Sequence, residues 1–317
     1  MTVVAPTPAG AVPRPRADEP RPRRLARLAL RLALGVALVA GVLVTGVYAA
    51  SEWRMRARVD VPLHPLAVHG DPATVAWGAH LVAREGCAEC HGADLGGHVI
   101  LDDAAIGTLV APNLTPGRQG AALADADWER AVRHGVRRDG TPLLLMPAHE
   151  YTGRADDELA AMIAYLRTVP AVDRPSRRPS IGPLARLLLL TGDLALVPAE
   201  RVAHAAPHPS TMPAAPTAAY GAYLASGCIG CHGARLAGGP IAGGPPDWPP
   251  AANLTPAGLG RWTHGDFVRA LRTGRRPDGS PLRPPMSIGA TSAMTDVELA
   301  ALWAYLRTLP ALPTGTR

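Results

Sequence analysis

Two Cys-x-x-Cys-His motifs use every cysteine of the chain. They are CAECH at residues 87–91 and CIGCH at residues 228–232. Two thiols three positions apart on one helical turn can form thioethers with the two vinyl groups of one porphyrin, and the adjacent histidine then faces the iron. This spacing is the attachment signature of c-type haem. It predicts two covalently attached haems c, held by Cys87, Cys90, Cys228 and Cys231, with His91 and His232 as iron ligands.

Cysteine pairs also form redox-active dithiols, disulfides and zinc sites. A dithiol or a disulfide gives no role to the histidine that follows each pair. One zinc ion held by all four cysteines would have to join two separate parts of the chain. The haem interpretation is therefore favoured over these alternatives.

The part of the chain that carries the motifs consists of two similar sequence repeats, with an offset of about 140 residues. Asn113-Leu114-Thr115-Pro116 recurs as Asn253-Leu254-Thr255-Pro256. The segment ELAAMIAYLRTVP (158–170) matches ELAALWAYLRTLP (298–310) at ten of thirteen positions. Such self-similarity predicts two homologous domains, here called the first repeat (residues 73–172) and the second repeat (residues 217–312).

Apolar spacing predicts helices rather than strands in both repeats. The predicted helices are the segment before Cys87, residues 125–134, residues 155–168 and residues 295–308, the last with Thr295 as its N-cap. No stretch alternates convincingly as a strand. The Gly- and Pro-rich segments 92–120 and 233–260 are too long for ordinary connectors unless they wrap around something. Haem would fill that place and would replace the aromatic side chains, which make up only 4% of the chain.

The N-terminal part has the features of a membrane anchor. Residues 32–50 carry no charge and would be about 28 Å long as a helix, close to the thickness of a bilayer core. Arginines precede this segment and Tyr48 and Trp53 follow it, which predicts a cytoplasmic N-terminus and an exported body. A cleaved signal peptide is the alternative, but the apolar segment is longer than the hydrophobic region of a signal.

The charge distribution argues against nucleic acid as a partner. All 32 basic residues are arginine, and seven of them lie within residues 1–31. The rest of the chain has 25 arginines against 24 acidic residues, so it lacks the basic surface that nucleic acids require. A second apolar stretch, residues 184–198, is too short to span a bilayer. It predicts a helix packed between the domains or, alternatively, one at the membrane interface.

The ordered set of motifs resembles the membrane-anchored di-haem cytochrome c family, which is related to the cytochrome subunits of bacterial alcohol, aldehyde and gluconate dehydrogenases. The set comprises CxxCHG, NLTP, a W/F-x-R-A-x-R helix, DG-x-P-L followed by Met, and the closing E-L-A helix. It covers roughly residues 73–312. Those dehydrogenase subunits generally carry three haems, whereas this chain has two CxxCH motifs.

The resemblance implies the remaining site residues. Met146 and Met286 lie 55 and 54 residues after the motif histidines, where the family places its distal methionine, and are the expected second iron ligands. Asn113 and Asn253 are expected near the haem, bonded to propionates or to the loop backbone. The unrepeated methionine Met162 is expected in the core. The unrepeated histidines are expected on the surface or in loops: His98, His134 and His149.

The sequence therefore predicts a mainly α protein in which a transmembrane helix precedes two tandem class I-like cytochrome c domains. The expected segments are a cytoplasmic tail (1–31), a membrane helix (32–50), a linker (51–72), the first domain (73–172), an interdomain linker (173–216) and the second domain (217–312). The expected function is electron relay between redox donor and acceptor proteins at the periplasmic side of the bacterial inner membrane, without catalysis. The alternatives are a di-haem peroxidase, a thiosulfate dehydrogenase and the electron-accepting subunit of a dehydrogenase complex.

Overall fold

The computed structural model describes Gly10 and residues 21–117, 123–175, 177–241, 243–245 and 247–316. The predicted cytoplasmic tail therefore lies outside the described residues up to residue 20, apart from Gly10. The described chain is mainly helical, as the sequence predicted. Its helices are α1 (Arg21–Arg56), α2 (Pro72–Arg84), α3 (Cys87–His91), α4 (Asp125–His134), α5 (Ala148–Tyr151), α6 (Asp156–Leu166), α7 (Pro183–Thr191), α8 (Ala218–Ala225), α9 (Ile229–His232), α10 (Pro256–Leu259), α11 (His264–Thr273), α12 (Ile288–Ala293) and α13 (Asp296–Leu306).

Helix α1 contains the predicted membrane segment. The described residues up to Val47 belong to one compact unit, and those from Tyr48 onward belong to another. By length and composition only, the helix could cross a membrane over Arg24–Arg56. Its large apolar side chains are exposed, as Leu32 and Leu38 show at 70% each.

The core of the first repeat forms where α2 crosses α6. At this crossing a Cβ atom on Gly78 would lie 1.9 Å from the carbonyl oxygen of Ala161, so glycine is needed for the close approach. Leu81, Leu159 and Ile163 are at most 1% exposed in this core. The crossing fixes the chain on both sides of the first CxxCH motif.

The second repeat is built around an equivalent crossing of α8 and α13. Here a Cβ atom on Gly221 would lie 1.9 Å from the carbonyl oxygen of Ala301. Leu224, Leu299 and Phe267 are buried in its core. The two repeats therefore share one architecture, as their sequence similarity predicted.

The described residues include three short strands, although no stretch of the sequence alternates convincingly as a strand. β1 (His98–Asp103) pairs antiparallel with β2 (Gly107–Ala111), and β2 pairs with β3 (Ser180–Ile181). All but one residue of β2 are buried and all but one residue of β1 are exposed, so neither strand shows the alternation by which strands are recognised. β3 has two residues and forms only through a contact distant in sequence. The hairpin lies in the region predicted to be a loop.

The second apolar stretch forms α7 and the turn after it. Its buried side chains, Leu189, Leu196 and Val197, cluster with Met55 at the end of α1. Arg186 donates hydrogen bonds to Ser51 Oγ at 2.9 Å and to Glu52 at 2.8 Å. The described contacts thus place α7 against residues 51–55 rather than between the two repeats, which differs from the first of the two alternatives. The second alternative, a position at the membrane interface, stays a prediction.

Candidate haem sites

Helix α3 presents the first cysteine pair. It begins after Gly86, whose φ of 69° is a left-handed conformation that favours glycine. Cys87 and Cys90 are three positions apart on this helix, so their side chains lie on the same face. Neither cysteine forms a disulfide; Cys87 is half-buried and Cys90 is exposed.

The second pair is presented in the same way. A 3-10 turn (Ser226–Cys228) leads into α9, and Cys228 is half-buried while Cys231 is exposed. Burial raises the pKa of Cys87 to about 12 and that of Cys228 to about 11. A redox-active dithiol has a lowered pKa instead. The direction of these pKa shifts is the opposite of that in a redox-active dithiol.

The two motif histidines are buried and oriented by identical hydrogen bonds. His91 is 9% exposed and His232 is 7% exposed. Nδ1 of His91 lies 2.8 Å from the carbonyl oxygen of Pro112, and Nδ1 of His232 lies 2.8 Å from that of Ala252. A carbonyl oxygen can only accept, so Nδ1 carries the hydrogen and the lone pair of Nε2 is free to bind a metal. Burial lowers the pKa of both rings, which favours the neutral form that ligates iron.

The loop after each motif begins with the same backbone conformation in both repeats. Leu95 and Leu236 have φ values of 55° and 56°, although they are not glycines. Their carbonyl oxygens accept hydrogen bonds from the backbone N–H groups of Leu114 and Leu254 at 2.9 and 2.8 Å. These bonds join the start of each loop to its Asn-Leu-Thr-Pro segment. This conformation of leucine is unusual, and its recurrence indicates a constraint that the two loops share.

The asparagines are buried within these segments. Asn113 Oδ1 accepts from the backbone N–H of Thr115 at 2.8 Å, and its Nδ2 donates to the carbonyl oxygen of Val172 at 2.7 Å. Asn253 makes the matching bonds to Thr255 at 2.9 Å and to Leu312 at 2.7 Å. These are contacts to the loop backbone, one of the two expected uses. Direct contact of the asparagines with haem propionates stays a prediction.

The methionines expected as distal ligands lie in the loops after the DG-x-P-L turns. Met146 is half-buried and packs on the same core cluster as Cys87. Met286 is also half-buried, in the segment between α11 and α12. Their ligation of iron stays a prediction. Met162 is 5% exposed, and its expected place in the core is confirmed.

Of the three unrepeated histidines, one was predicted wrongly. His98 is exposed on β1 and His149 is half-buried on α5. His134 is only 4% exposed, and its Nδ1 lies 3.0 Å from Nδ1 of His204. It is buried because the interdomain segment covers the end of α4, a contact between distant parts of the chain that the local sequence does not reveal.

A separate polar cluster was not found by sequence reasoning. His64, Glu129 and His208 each place a possible metal-binding atom within 4.8 Å of the others, the one such group among the described residues. Arg133 already lies there, 3.2 Å from Glu129 and 3.4 Å from Nε2 of His208. Its guanidinium supplies the positive charge that a cation would bring. The four cysteines do not form such a group, which argues against a shared zinc.

The two repeats contact each other through reciprocal pairs of side chains. Nε2 of His80 in the first repeat lies 3.0 Å from Glu298 of the second. At the equivalent positions, the hydroxyl of Tyr223 in the second repeat donates to Glu158 of the first. Arg84 joins the pairs, donating to Glu298 at 2.7 Å and to Glu158 at 3.2 Å. Exchanged contacts of this kind are those of a two-fold interface, here within one chain.

Comparison with known proteins agrees with this architecture. The family model "Cytochrome c" matches residues 218–310, and the model "Cytochrome C oxidase, cbb3-type, subunit III" matches residues 73–166. A "Diheme cytochrome c-type" protein of Cereibacter sphaeroides is 30% identical over an alignment 323 residues long, gaps included, and the alignment covers 90% of this chain and 99% of the relative. The chain belongs to the di-haem cytochrome c family. Each repeat of this di-haem cytochrome is thus a cytochrome c domain with one covalently bound haem c.

This di-haem cytochrome is also similar to subunits of dehydrogenases. The "Alcohol dehydrogenase (quinone), cytochrome c subunit" of Gluconacetobacter polyoxogenes is 30% identical over 276 residues, covering 77% of this chain. The "Fructose dehydrogenase cytochrome subunit" of Gluconobacter japonicus is 25% identical over 279 residues, covering 79% of this chain. The chain spans 57% of the length of the first relative and 55% of the second. These similarities indicate an electron-transfer protein related to dehydrogenase subunits.

Proposed function

We propose that this protein is a membrane-anchored electron carrier of the bacterial cell envelope. Residues 32–50 anchor it in the cytoplasmic membrane, and the domains at residues 73–172 and 217–312 lie on the periplasmic side. The segments 51–72 and 173–216 link these parts. It accepts electrons from a dehydrogenase or a quinol-oxidising complex and passes them to a downstream acceptor, without transforming a substrate itself.

The repeated donor set is the observation on which this proposal depends. Each repeat has a buried histidine with a free Nε2 and, at a matched position, a half-buried methionine. Histidine and methionine together saturate the iron, raise its potential and leave no position for a substrate. When bound, each haem c supplies a one-electron couple between ferric and ferrous iron.

The protein's own part in the transfer is to hold the two groups rigidly. The cysteines fix each haem edge covalently, and the Nδ1 hydrogen bonds of His91 and His232 fix the ring orientation. Asn113 and Asn253 stabilise the surrounding loops, and we include contact of their amides with propionates in the proposal. The charged interface around Arg84 keeps the two domains in one arrangement, so the path between them is constant.

The membrane location is supported by the composition and surface of α1. The helix exposes leucine and valine side chains along its length and has no acidic residue in its first turn. Arginines precede the apolar segment, as is usual on the cytoplasmic side.

A role as the electron-accepting subunit of a dehydrogenase complex is the second candidate. It is favoured by the similarity to cytochrome subunits of alcohol, fructose and gluconate 2-dehydrogenases. In that role the donor is a tightly bound partner subunit rather than a diffusing protein. The two candidates use the haem domains in the same way and differ in what the protein binds.

Purification of the full chain from native membranes tests both candidates. We expect two low-spin ferric haems that react slowly with cyanide or peroxide, because a methionine must first leave the iron. If the protein is a dehydrogenase subunit, a dehydrogenase will copurify, and ethanol, fructose or gluconate will then reduce the haems. A free carrier will instead be isolated alone and will be reduced by membranes supplied with decylubiquinol. A high-spin ferric haem at neutral pH, or rapid stoichiometric consumption of peroxide by the half-reduced protein, would contradict the carrier proposal and favour a di-haem peroxidase.

A further inference from the structure

A buried ion pair lies between the two haem-attachment turns. Nη2 of Arg154 donates to Oε2 of Glu85 at 3.0 Å, and both side chains are only 5% exposed. Glu85 precedes Cys87 by two residues. Its backbone carbonyl oxygen accepts a hydrogen bond from the hydroxyl of Tyr151 at 3.2 Å, so the turn that carries the carboxylate is fixed.

Arg154 belongs to the first repeat but lies against the second. Its Nη1 donates to the carbonyl oxygen of Tyr223 at 3.2 Å, and its guanidinium lies 5.1 Å from the centre of the Tyr223 ring. A Cβ atom on Gly227, the residue before Cys228, would lie 3.3 Å from Nη2 of Arg154. The positive charge is therefore placed beside the turn that holds the second haem.

The ion pair breaks the two-fold relation of the interface. The repeat alignment pairs Glu85 with Ser226 and Arg154 with Met294, so neither charge has a counterpart. Met294 is 8% exposed and packs in the second core instead of reaching the first repeat. The two haem sites therefore have different electrostatic surroundings although their ligands are the same.

Two further carboxylates lie at the same interface. Glu89, within the first motif, accepts from the hydroxyl of Ser287 and from the backbone N–H of Ala290 at 3.4 Å. Glu150 lies beside Gly230, where a Cβ atom would be 1.8 Å from its Oε1. Burial raises the pKa of Glu150 to about 7, which reduces its mean charge at neutral pH. Arg84 also donates to Glu85, at 2.8 Å, but it is shared with Glu298 and Glu158. Glu85 and Glu89 therefore leave the first attachment turn more negative than the second.

We propose that the Glu85–Arg154 pair sets the order of the two haem potentials, and so directs electrons from the haem held by Cys87 and Cys90 to the haem held by Cys228 and Cys231. The inference rests on the proposed relay function. Reduction adds one negative charge to a haem. A nearby carboxylate disfavours that change and lowers the potential, whereas a nearby guanidinium favours it and raises the potential. The first haem is then the donor and the second the acceptor within the chain.

The double variant Glu85→Ser/Arg154→Met tests the proposal, because it gives the first repeat the residues that the second repeat has. Spectroelectrochemical titration of the full holoprotein at pH 7 measures both potentials, and Met146→His in the same background identifies the first haem by lowering its potential. We expect the reduction potential of the first haem to rise and that of the second haem to fall. The equilibrium constant for transfer from the first haem to the second should decrease about tenfold, from two partly buried charges at close range.

Glu85→Gln provides a second variant that keeps the acceptor for Arg154 while removing the negative charge. This variant should raise the reduction potential of the first haem more than that of the second. The difference between the two potentials should therefore decrease, as in the double variant. Arg167→Gln, which breaks an exposed pair with Asp125, is the matched control and should leave both potentials unchanged. An unchanged or wider difference in either test variant, with both haems still low-spin one-electron couples, would overturn the inference and leave the relay function intact. Failure of Met146→His to move one potential would instead contradict the ligand assignment.

Discussion

At the residue scale, the same small set of contacts recurs around both motif histidines. The carbonyl oxygens of Pro112 and Ala252 orient the rings, and the asparagine that follows each of these residues binds the loop to a distant segment. The residue that orients each histidine ring is therefore the one directly before an Asn-Leu-Thr-Pro segment, so the fixed conformation of that segment also fixes the ring. Because the asparagine amide bonds to backbone 59 residues away, it also fixes the chain that follows the last helix of each repeat.

Replacement of the two candidate methionines tests whether they bind the iron on the side opposite the motif histidine. Met146→Ala or Met286→Ala should each remove about half of the near-infrared band that arises from sulfur and ferric iron. Each should also lower one of the two potentials, because a thioether ligand favours ferrous iron. Near-infrared spectra and redox titrations of the two holoproteins measure these effects.

Met162→Leu is the matched control for those variants, because the second repeat has Leu302 at that position. It should change neither the band nor the potentials. Wild-type spectra in both alanine variants would show that another residue binds the iron, with His149 and Met294 the next candidates.

The residues that bind haem could be predicted more fully than those that support the site. The cysteines and motif histidines are adjacent in sequence, so their geometry follows from one helical turn. The burial of His134 and the cluster around Glu129 depend on residues 64 and 204–208, which come from distant segments. No local pattern encodes such contacts.

At the scale of elements, the two closing helices have nearly the same sequence but begin differently. α13 starts with a capping box, in which Thr295 Oγ1 accepts from the N–H of Glu298 at 3.2 Å. α6 starts after Ala155, whose N–H donates to the hydroxyl of Tyr223 at 2.8 Å. The sequence predicted both helices and the Thr295 cap. It could not predict that a side chain of the second repeat binds the backbone where the helix of the first repeat begins.

Removal of the Thr295 hydroxyl should destabilise α13 and the domain around it. Thr295→Ala should lower the free energy of unfolding by about 1 kcal/mol, the usual cost of losing an N-cap side chain. Guanidinium denaturation of the holoprotein, followed by far-UV circular dichroism, measures this change. Thr308→Ala, at the exposed C-terminal end of the same helix, should cost much less. Equal losses in the two variants would show that the cap contributes nothing specific.

The β-hairpin is the element that the sequence did not predict. β1 is exposed along most of its length, and β2 is buried along most of its length. Strand recognition depends on alternation, which neither strand has. Moreover, β2 is completed by β3, a two-residue strand about 70 residues away. The hairpin is therefore stabilised by pairing rather than by a local pattern.

At the scale of the whole molecule, the repeat predicted two domains but not how they contact each other. The interface is formed by residues as far apart as His80 and Glu298, 218 positions along the chain. Its buried arginine, Arg84, bonds to carboxylates from both repeats. Charges buried in this way require nearly complete pairing, so the interface has one defined arrangement.

Acid should weaken this interface, because Glu298 stabilises it only while its carboxylate is ionised. Burial raises the pKa of Glu298, but hydrogen bonds from His80 and Arg84 outweigh that effect and lower it to about 2. Because its pKa in the folded state is below the ordinary value of 4.5, its contribution to stability is complete above pH 4.5 and is lost as the pH falls toward 2. The free energy of unfolding should therefore decrease between pH 5 and pH 3.

Glu298→Gln separates this contribution from general acid denaturation. At pH 7 the variant should be less stable than the wild type by about 3 kcal/mol, because it leaves buried Arg84 without one of its partners. The difference should shrink at pH 3, because Glu298 in the unfolded wild-type chain, with its ordinary pKa of 4.5, is then protonated and unfolding takes up a proton. Denaturation curves of both holoproteins at pH 7, 5 and 3 measure this difference in the free energy of unfolding. The control is Asp296→Asn, which removes a 92% exposed carboxylate from the same helix. A difference between wild type and Glu298→Gln that stays constant from pH 7 to pH 3 would show that the charge of Glu298 does not stabilise the contact between the repeats.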